Sequence, residues 1–151
     1  LLAMDMDSTL ITIECIDEIA DFAGRKAEVA AITASAMRGE IDWPESLKRR
    51  VAALAGLEES VLDRVYTDRL RFNPGAEALI AAARRKGVKT LLVSGGFTYF
   101  TDRLRADTPP AALIYHSPGM EPAPATRARL AVDIGGGDTA FDWGVQLLRG
   151  G

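Results

Sequence analysis

Two carboxylates near the start of the chain, Asp5 and Asp7, are separated by one residue and followed by the hydroxylated pair Ser8-Thr9. The apolar residues around Asp5 predict a short buried strand over residues 1–6. If the extended chain reaches Asp7, both carboxylates project from one face, since side chains alternate along a strand. Two like charges at that spacing repel unless a cation lies between them. A hard, all-oxygen donor set of this kind suits Mg²⁺ rather than Zn²⁺.

A carboxylate at the end of a strand could hold a metal ion or attack an electrophile. If the electrophile is the phosphorus of a phosphate ester, a Mg²⁺ ion would offset the charges of both anions. Asp5 is then the candidate nucleophile, and Asp7 is the candidate acid toward the leaving oxygen and base toward water. The alternative is a polar turn or a helix cap, which is the commoner role of such a pair.

A second polar cluster, Ser94-Gly95-Gly96, follows the apolar run 88–93, which predicts another strand. Open α/β sheets bind their ligands at the carboxyl ends of strands. The Ser94 hydroxyl and the amides of Gly95 and Gly96 could donate to a phosphoryl group, because glycine lets backbone N–H groups approach an anion closely. Such a run alone is commonly only a loop. Its combination with the first cluster favours a phosphate site.

The elements that must position these clusters are mostly helical. Residues 1–13 and 72–151 are expected to form an α/β core with a parallel sheet, and residues 14–71 a helical cap inserted into it. The insertion could equally be a helical subdomain that only fills space. Apolar periodicity, terminal glycines and the Pro44 start signal predict helices over residues 14–23, 26–38, 42–56, 58–70, 76–86 and 97–105.

Composition narrows the functional classes. The 151 residues are 48% hydrophobic, as expected for a folded domain, and the net charge of −3 with no basic stripe argues against nucleic-acid binding. No apolar segment approaches the roughly 18 residues of a membrane helix. The single cysteine, Cys15, cannot form an internal disulfide, so we expect a cytoplasmic protein. Because the chain begins at Leu1 inside a strand-like run, we also expect residues upstream of it to be missing.

The two clusters resemble the first two motifs of the haloacid dehalogenase superfamily, and residues 1–105 are similar to its phosphoserine phosphatase branch. The resemblance implies a Rossmann-like parallel sheet core with a helical cap, and a Mg²⁺-dependent phosphatase acting on O-phosphoserine in serine biosynthesis. It implies that Asp5 forms an aspartyl-phosphate, that Asp7 is the acid/base and also reaches Mg²⁺, and that Ser94 and Gly95 bind the phosphoryl group. The stretches that carry it are Asp5-Met6-Asp7-Ser8-Thr9, Glu14-Cys15-Ile16-Asp17-Glu18-Ile19-Ala20, Met37-Arg38-Gly39, Ser46-Leu47-Lys48-Arg49-Arg50-Val51 and Val93-Ser94-Gly95-Gly96-Phe97.

Four cap residues correspond to substrate-binding positions of that branch. Glu14 and Arg50 match the positions that read the amino and carboxylate groups of the substrate, which agrees with their chemistry, since a guanidinium fork suits a carboxylate. Met37 and Trp43 match apolar positions that shield the site, although the family more often has Phe where Trp43 stands. The alternatives are a solvated helix face for the charged pair and cap core for the apolar pair.

The tail after about residue 106 departs from the family. Five of the seven prolines and seven of the fourteen glycines lie in residues 107–151, with no lysine among them. The family uses a lysine downstream of Ser94, whereas the last lysine here is Lys89. Asp138 is the candidate third metal ligand, or else part of a capped turn before a helix. Only a strand over 130–134 and a helix over 139–148 are predicted in the tail.

These departures leave several interpretations open. The core is expected to be incomplete at its C-terminus, and the tail is native, truncated or read in a different frame. Besides an active phosphatase, the sequence allows a degenerate domain that binds phosphoserine or a partner without turnover, or a phosphatase or phosphotransferase acting on another small metabolite. Helical caps of this kind can support a homodimer, and the sequence does not decide the oligomeric state.

Overall fold

A computed structural model describes residues 1–107, 111–115 and 132–134. The chain divides into two compact units. The sheet unit contains Leu1–Thr12 and the chain from Arg71 onward, and the helical unit is Ile13–Leu70. No helix in the described ranges is long and apolar enough to cross a membrane. The described elements are β1 (Leu2–Asp5), α1 (Cys15–Phe22), α2 (Lys26–Met37), α3 (Trp43–Ala53), α4 (Ser60–Arg64), α5 (Ala76–Arg85), β2 (Thr90–Ser94), α6 (Thr98–Asp107), β3 (Ala111–Tyr115) and β4 (Val132–Ile134).

The sheet unit contains parallel strands in the order β3-β2-β1-β4. Every residue of β2 is buried, which is typical of a parallel strand covered on both faces. Ala3 of β1 packs with Leu91 and Val93 of β2 in one small core cluster, and α5 lies against β2. The predicted α/β fold with a Rossmann-like parallel sheet is confirmed.

One strand of this sheet was not predicted. Only one strand is predicted after residue 106, yet Ala111–Tyr115 pairs along its whole length with Thr90–Ser94. The prediction was wrong because a five-residue apolar run beside two prolines carries little local signal, and its hydrogen-bond partner lies about 20 residues earlier. β4 falls inside the predicted strand 130–134. The predicted helix 139–148 lies outside the described residues.

The helical unit is built from α1 to α4. Its core cluster joins Ala20, Val29 and Ala53. α3 begins as predicted, because the Asp42 carboxylate accepts a hydrogen bond from the Glu45 N–H at 2.9 Å and thereby caps the helix. At the other end of α3, the Arg25 guanidinium donates to the Ala53 carbonyl at 2.8 Å, which satisfies one acceptor that a helix end leaves free.

Two helices in this unit end in ways that the sequence does not predict. In α2 only Val29 is buried, and Met37, the last helical residue before the chain turns at Gly39, φ 73°, is 85% exposed rather than part of the cap core. The predicted helix 58–70 is present over residues 60–69. It begins as α4 and continues without a break as a wider, π-helical segment, Val65–Arg69, where the Leu70 N–H donates to the Val65 carbonyl at 3.0 Å.

Candidate active site

Asp5 and Ser94 occupy the same edge of the sheet. Asp5 is the last residue of β1 and lies opposite Val93 in the register, so it is adjacent to Ser94, the last residue of β2. Both strands run in the same direction, and their carboxyl ends therefore meet at one edge. Asp5 is partly exposed, whereas Ser94 is buried. The structure thus brings together the first residues of the two predicted clusters.

Asp7 does not belong to the strand. β1 ends at Asp5, and the next residues form a single wide turn, Met6–Leu10, closed by the Ile11 N–H on the Met6 carbonyl at 3.0 Å. The expectation that Asp5 and Asp7 project from one strand face therefore does not apply. The hydrogen-bonded turn ends the extended backbone at Asp5, so the alternation of side chains along the strand does not continue to Asp7.

The same turn holds a strained residue. Ser8 has φ 53° and ψ 6°, and it is the only non-glycine residue with positive φ in the described part of the chain. A residue with a Cβ atom pays about 1–2 kcal/mol for this left-handed conformation. Such strain persists only where surrounding contacts hold it, and it clusters at functional sites.

The turn carries the Asp7 carboxylate to the second cluster. A Cβ atom built on Gly96 would lie 3.1 Å from Asp7 Oδ2 and 3.1 Å from Ser94 Oγ. The carboxylate and the hydroxyl therefore converge around a single backbone position. The same Cβ atom would lie 2.7 Å from the Cε of Met6, whose side chain is fully buried. Position 96 accommodates glycine because no space remains for a side chain.

A hydrogen bond inside the Ser94-Gly95-Gly96 loop orients the serine. The Gly96 N–H donates to Ser94 Oγ at 3.0 Å. Because the hydroxyl oxygen accepts this bond, its own hydrogen can be donated to a ligand. The Gly96 amide, which the sequence analysis assigned to a phosphoryl oxygen, has a partner within the loop in this structure.

The acidic residues of this edge are suited to Mg²⁺ as partial ligands. Among the described residues there is no group of three or more His, Cys, Asp or Glu side chains that could hold a metal ion. Mg²⁺ is commonly bound through one or two carboxylates, with waters and substrate phosphate completing its shell. Asp5 and Asp7 fit that mode of binding. Asp138, the candidate third ligand, lies outside the described residues.

The predicted cap residues all lie in the helical unit. Glu14 is exposed immediately before α1. Met37 and Trp43 are 85% and 42% exposed, so neither belongs to the buried core of the unit. Trp43 and Arg50 are seven residues apart on α3 and therefore share one helix face.

Arg50 carries an unusual feature. Its Nε atom is buried without a hydrogen-bond partner in the part of the chain that the structure describes. A buried donor left unpaired costs about 1–3 kcal/mol, and more when it is charged. An acceptor supplied by a ligand would remove this cost.

Two residues that shape the sheet-edge site are not predicted from the sequence. Met6 is expected only as a residue of the first strand, and no sequence pattern assigns Asn73 a role at the site. The Asn73 side chain donates to the carbonyls of Thr9 and Ile11, at 2.8 Å and 3.0 Å. No local signal could have linked residues that are more than 60 positions apart in the chain.

The parallel sheet, with paired carboxylates and a Ser-Gly-Gly loop at one edge, defines an α/β protein whose candidate ligand site lies at the carboxyl ends of its strands. A family model for haloacid dehalogenase-like hydrolases matches residues 1–123, and the chain belongs to this family. The predicted resemblance is thereby confirmed at the level of the family.

Individual relatives agree with this assignment. The phosphoserine phosphatase of Polaromonas sp. is 66% identical over 106 residues, which are 70% of this chain and 45% of that protein. The chain therefore spans less than half the length of that relative. A haloacid dehalogenase family hydrolase from Salmonella enterica serovar Typhi superposes with a TM-score of 0.72 at 38% identity, over 76% of this chain and 39% of the other. A phosphoserine phosphatase solved as a phospho-aspartyl intermediate analogue superposes with a TM-score of 0.68 at 32% identity. The superposition covers 76% of this chain and 54% of that protein.

Proposed function

We propose that this chain is a phosphomonoester hydrolase that converts O-phosphoserine to serine and inorganic phosphate, a step of serine biosynthesis. The observation that carries the proposal is the convergence of Asp7 and Ser94 around Gly96, beside Asp5 at the end of β1. Similarity to phosphoserine phosphatases over about two-thirds of the chain supports the choice of substrate.

The chemistry has two steps. In the first, a carboxylate oxygen of Asp5 attacks phosphorus, the bond from phosphorus to the serine oxygen breaks, and protonated Asp7 gives its proton to that oxygen. Serine leaves, and an aspartyl-phosphate remains on Asp5. In the second, water attacks phosphorus, Asp7 takes the proton from that water, and the Asp5 carboxylate is regenerated as phosphate leaves. Ser94 donates its hydroxyl hydrogen to a phosphoryl oxygen in both steps.

Asp5 and Asp7 would hold Mg²⁺, with Asp138 as the proposed third ligand. When bound, the ion offsets the negative charge of the phosphate and the carboxylates. The residues around them then serve to orient the phosphoryl group, through the Ser94 hydroxyl and the Gly95 amide, and to hold the proton of Asp7 near the leaving oxygen. The Gly96 amide contributes indirectly by fixing the Ser94 hydroxyl.

The serine part of the substrate is assigned to the helical unit. Arg50 would bind the carboxylate, and its buried Nε, which has no hydrogen-bond partner among the described residues, supports that role. Glu14 would bind the ammonium group. Met37 and Trp43 are exposed apolar side chains that would shield the substrate from water.

The proposal is tested by measuring phosphate release from O-phosphoserine with and without Mg²⁺. We expect release that depends on Mg²⁺, and we expect Asp5→Asn to lower it by roughly 10⁴-fold or more, because the amide retains the shape but not the nucleophile. Glu28→Gln is the matched control, since Glu28 is an exposed carboxylate on α2. Equal rates for the wild type and Asp5→Asn would remove the proposed nucleophile.

A second candidate function is phosphoserine binding without turnover. It is favoured by the absence of any lysine after Lys89, because an arginine fork does not replace a compact ammonium group. Titration calorimetry with O-phosphoserine separates the two candidates. Binding without phosphate release supports the degenerate domain, and measurable turnover rejects it.

A third candidate is a phosphatase or phosphotransferase that acts on another small metabolite. Phosphate release from a panel of phosphorylated metabolites tests this candidate. If Arg50→Ala leaves the order of preferred substrates unchanged, the assignment of O-phosphoserine fails while phosphatase activity stands.

A further inference from the structure

Asn73, the only asparagine in the chain, makes an unusual set of hydrogen bonds. Its side-chain Nδ2 donates to the carbonyl oxygens of Thr9 at 2.8 Å and Ile11 at 3.0 Å. Its backbone N–H donates to the carbonyl oxygen of Leu10 at 3.0 Å. Three successive carbonyls therefore accept hydrogen bonds from one residue that lies more than 60 positions further along the chain.

These carbonyls lie at the end of the turn that carries Asp7. The Ile11 N–H donates to the Met6 carbonyl at the end of that turn, and the turn contains the strained residue Ser8. A strained backbone returns to a relaxed conformation unless its surroundings over-determine it. The three bonds from Asn73 are contacts of this kind, since they hold the segment that directly follows Ser8.

The chemistry of asparagine suits this role. Both neighbours of its side-chain amide are carbonyl oxygens, so the orientation with Nδ2 toward them is required, and the NH₂ group has one hydrogen for each. Aspartate has nearly the same shape but no hydrogen to donate. A neighbouring hydrogen bond joins the same two segments of the chain. The Thr12 N–H donates to the Arg71 carbonyl at 2.9 Å, and this bond involves only backbone atoms.

We propose that Asn73 is a positioning residue for the phosphoryl transfer described above, and the inference rests on that proposed function. Asn73 holds the Met6–Leu10 turn in its strained form, so that the Asp7 carboxylate remains beside Gly96 and Ser94. It touches neither the substrate nor the reacting atoms. Its loss would misplace the acid/base rather than remove it, and a displacement of about 1 Å costs roughly 100-fold in rate.

The first test needs no variant and no activity. Because the chain has a single asparagine, selective labelling with ¹⁵N-asparagine gives one side-chain amide group in the NMR spectrum, seen as one pair of N–H signals. We expect hydrogen exchange of both Nδ2 hydrogens to be slowed at least about tenfold relative to free asparagine, since both are hydrogen-bonded in the folded state. Exchange at the free rate would overturn the proposal.

The second test compares Asn73→Asp and Asn73→Leu, both of which remove the donors, while only the first adds a charge. We expect kcat for O-phosphoserine to fall about 10- to 100-fold in both, with KM changed less than about threefold. Ala78→Glu is the control for an added negative charge, because Ala78 is exposed on α5. Circular dichroism confirms that the variants are folded.

The outcomes separate the two proposals. Wild-type kcat in a folded Asn73→Leu variant overturns the positioning role. A rise in KM with unchanged kcat overturns it as well, because it would place Asn73 in ground-state binding. If the wild type releases no phosphate, the proposed function fails by itself, and the exchange measurement alone then decides whether Asn73 holds the turn.

Discussion

At the scale of single residues, the lack of a side chain at position 96 allows the two polar clusters to meet. In Gly96→Ala the new Cβ would lie 2.7 Å from Met6 Cε and 3.1 Å from the Asp7 and Ser94 oxygens. Because Met6 is fully buried, we expect overpacking to lower the free energy of unfolding by about 1–3 kcal/mol. Urea unfolding measures this change, and phosphate release should fall with it because Asp7 and Ser94 must move.

A double variant identifies the cause. Met6→Ala removes the closest of the three contacts, so Gly96→Ala should destabilise a Met6→Ala background less than it destabilises the wild type. The oxygens of Asp7 and Ser94 still crowd the new methyl group, and phosphate release should stay low. Strictly additive changes in unfolding free energy would show that Met6 and residue 96 do not interact.

Asp21 leads to a prediction about pH. The hydrogen bond from Arg69, at 2.6 Å, lowers the pKa of the Asp21 carboxyl, and the charge of Lys26 adds to this effect. A lowered folded-state pKa contributes stability that is present above the unfolded value of about 3.9 and is lost as the pH falls through the folded value. Asp21→Asn should therefore be less stable than the wild type at pH 7, and the two should converge at acidic pH.

The measurement is the urea midpoint of both proteins from pH 7 down to about pH 2, because the pKa of Asp21 is lowered. We expect a small difference in urea midpoint between Asp21→Asn and the wild type, because the Asp21–Arg69 pair is partly exposed and solvent screens it. Glu28→Gln, on an exposed helical site, should match the wild type across the range. A gap between Asp21→Asn and the wild type that persists unchanged at low pH would contradict the ion-pair explanation.

At the scale of secondary-structure elements, the start of α3 depends on one side chain. The Asp42 carboxylate accepts from the Glu45 N–H at 2.9 Å. Asp42→Ala should lower the free energy of unfolding by about 1 kcal/mol, whereas Asp42→Asn should stay within a few tenths, because the amide oxygen can still accept. Thermal or urea unfolding measures both. Equal losses in the two variants would indicate that the charge, and not the cap, matters.

Some secondary-structure elements were predictable from neighbouring residues in the sequence, and others were not. The start of α3 was predictable because the capping carboxylate and the backbone N–H that donates to it are three residues apart. Ala111–Tyr115 was missed because only its pairing with β2 makes it a strand. The π-helical winding of Val65–Arg69, at the end of the predicted helix 58–70, was not predictable for a similar reason. Its Arg69 donates to Glu18 and Asp21 of α1, a contact with residues about 50 positions earlier.

At the scale of the whole molecule, the proposed function assigns the carboxylate of the substrate to Arg50 of the helical unit. If Arg50 binds the substrate carboxylate, Arg50→Ala should raise KM for O-phosphoserine about 10- to 100-fold, the value of a charge-assisted pair. The same variant should leave KM for phosphoethanolamine, which lacks the carboxylate, nearly unchanged. Steady-state kinetics with both esters measures the difference.

Arg50→Lys is the conservative comparison. It keeps the charge but not the two-pronged donor geometry, and it should recover only part of the affinity for O-phosphoserine. An equal rise in KM for both esters in Arg50→Ala would mean that Arg50 supports the fold of the helical unit rather than the recognition of the carboxylate.

The sequence by itself determined the chemistry that is available: two carboxylates, a Ser-Gly-Gly loop, and an α/β alternation that places both clusters at strand ends. These are local properties, because a motif, a helix cap or a strand run depends on residues a few positions apart. Tertiary structure alone decided that the Asp7 carboxylate meets Ser94 around Gly96, and that Asn73 donates to the end of the Met6–Leu10 turn. Each of these contacts joins residues distant in the chain, and their distances depend on packing and on hydrogen bonds that form only when the sheet unit folds.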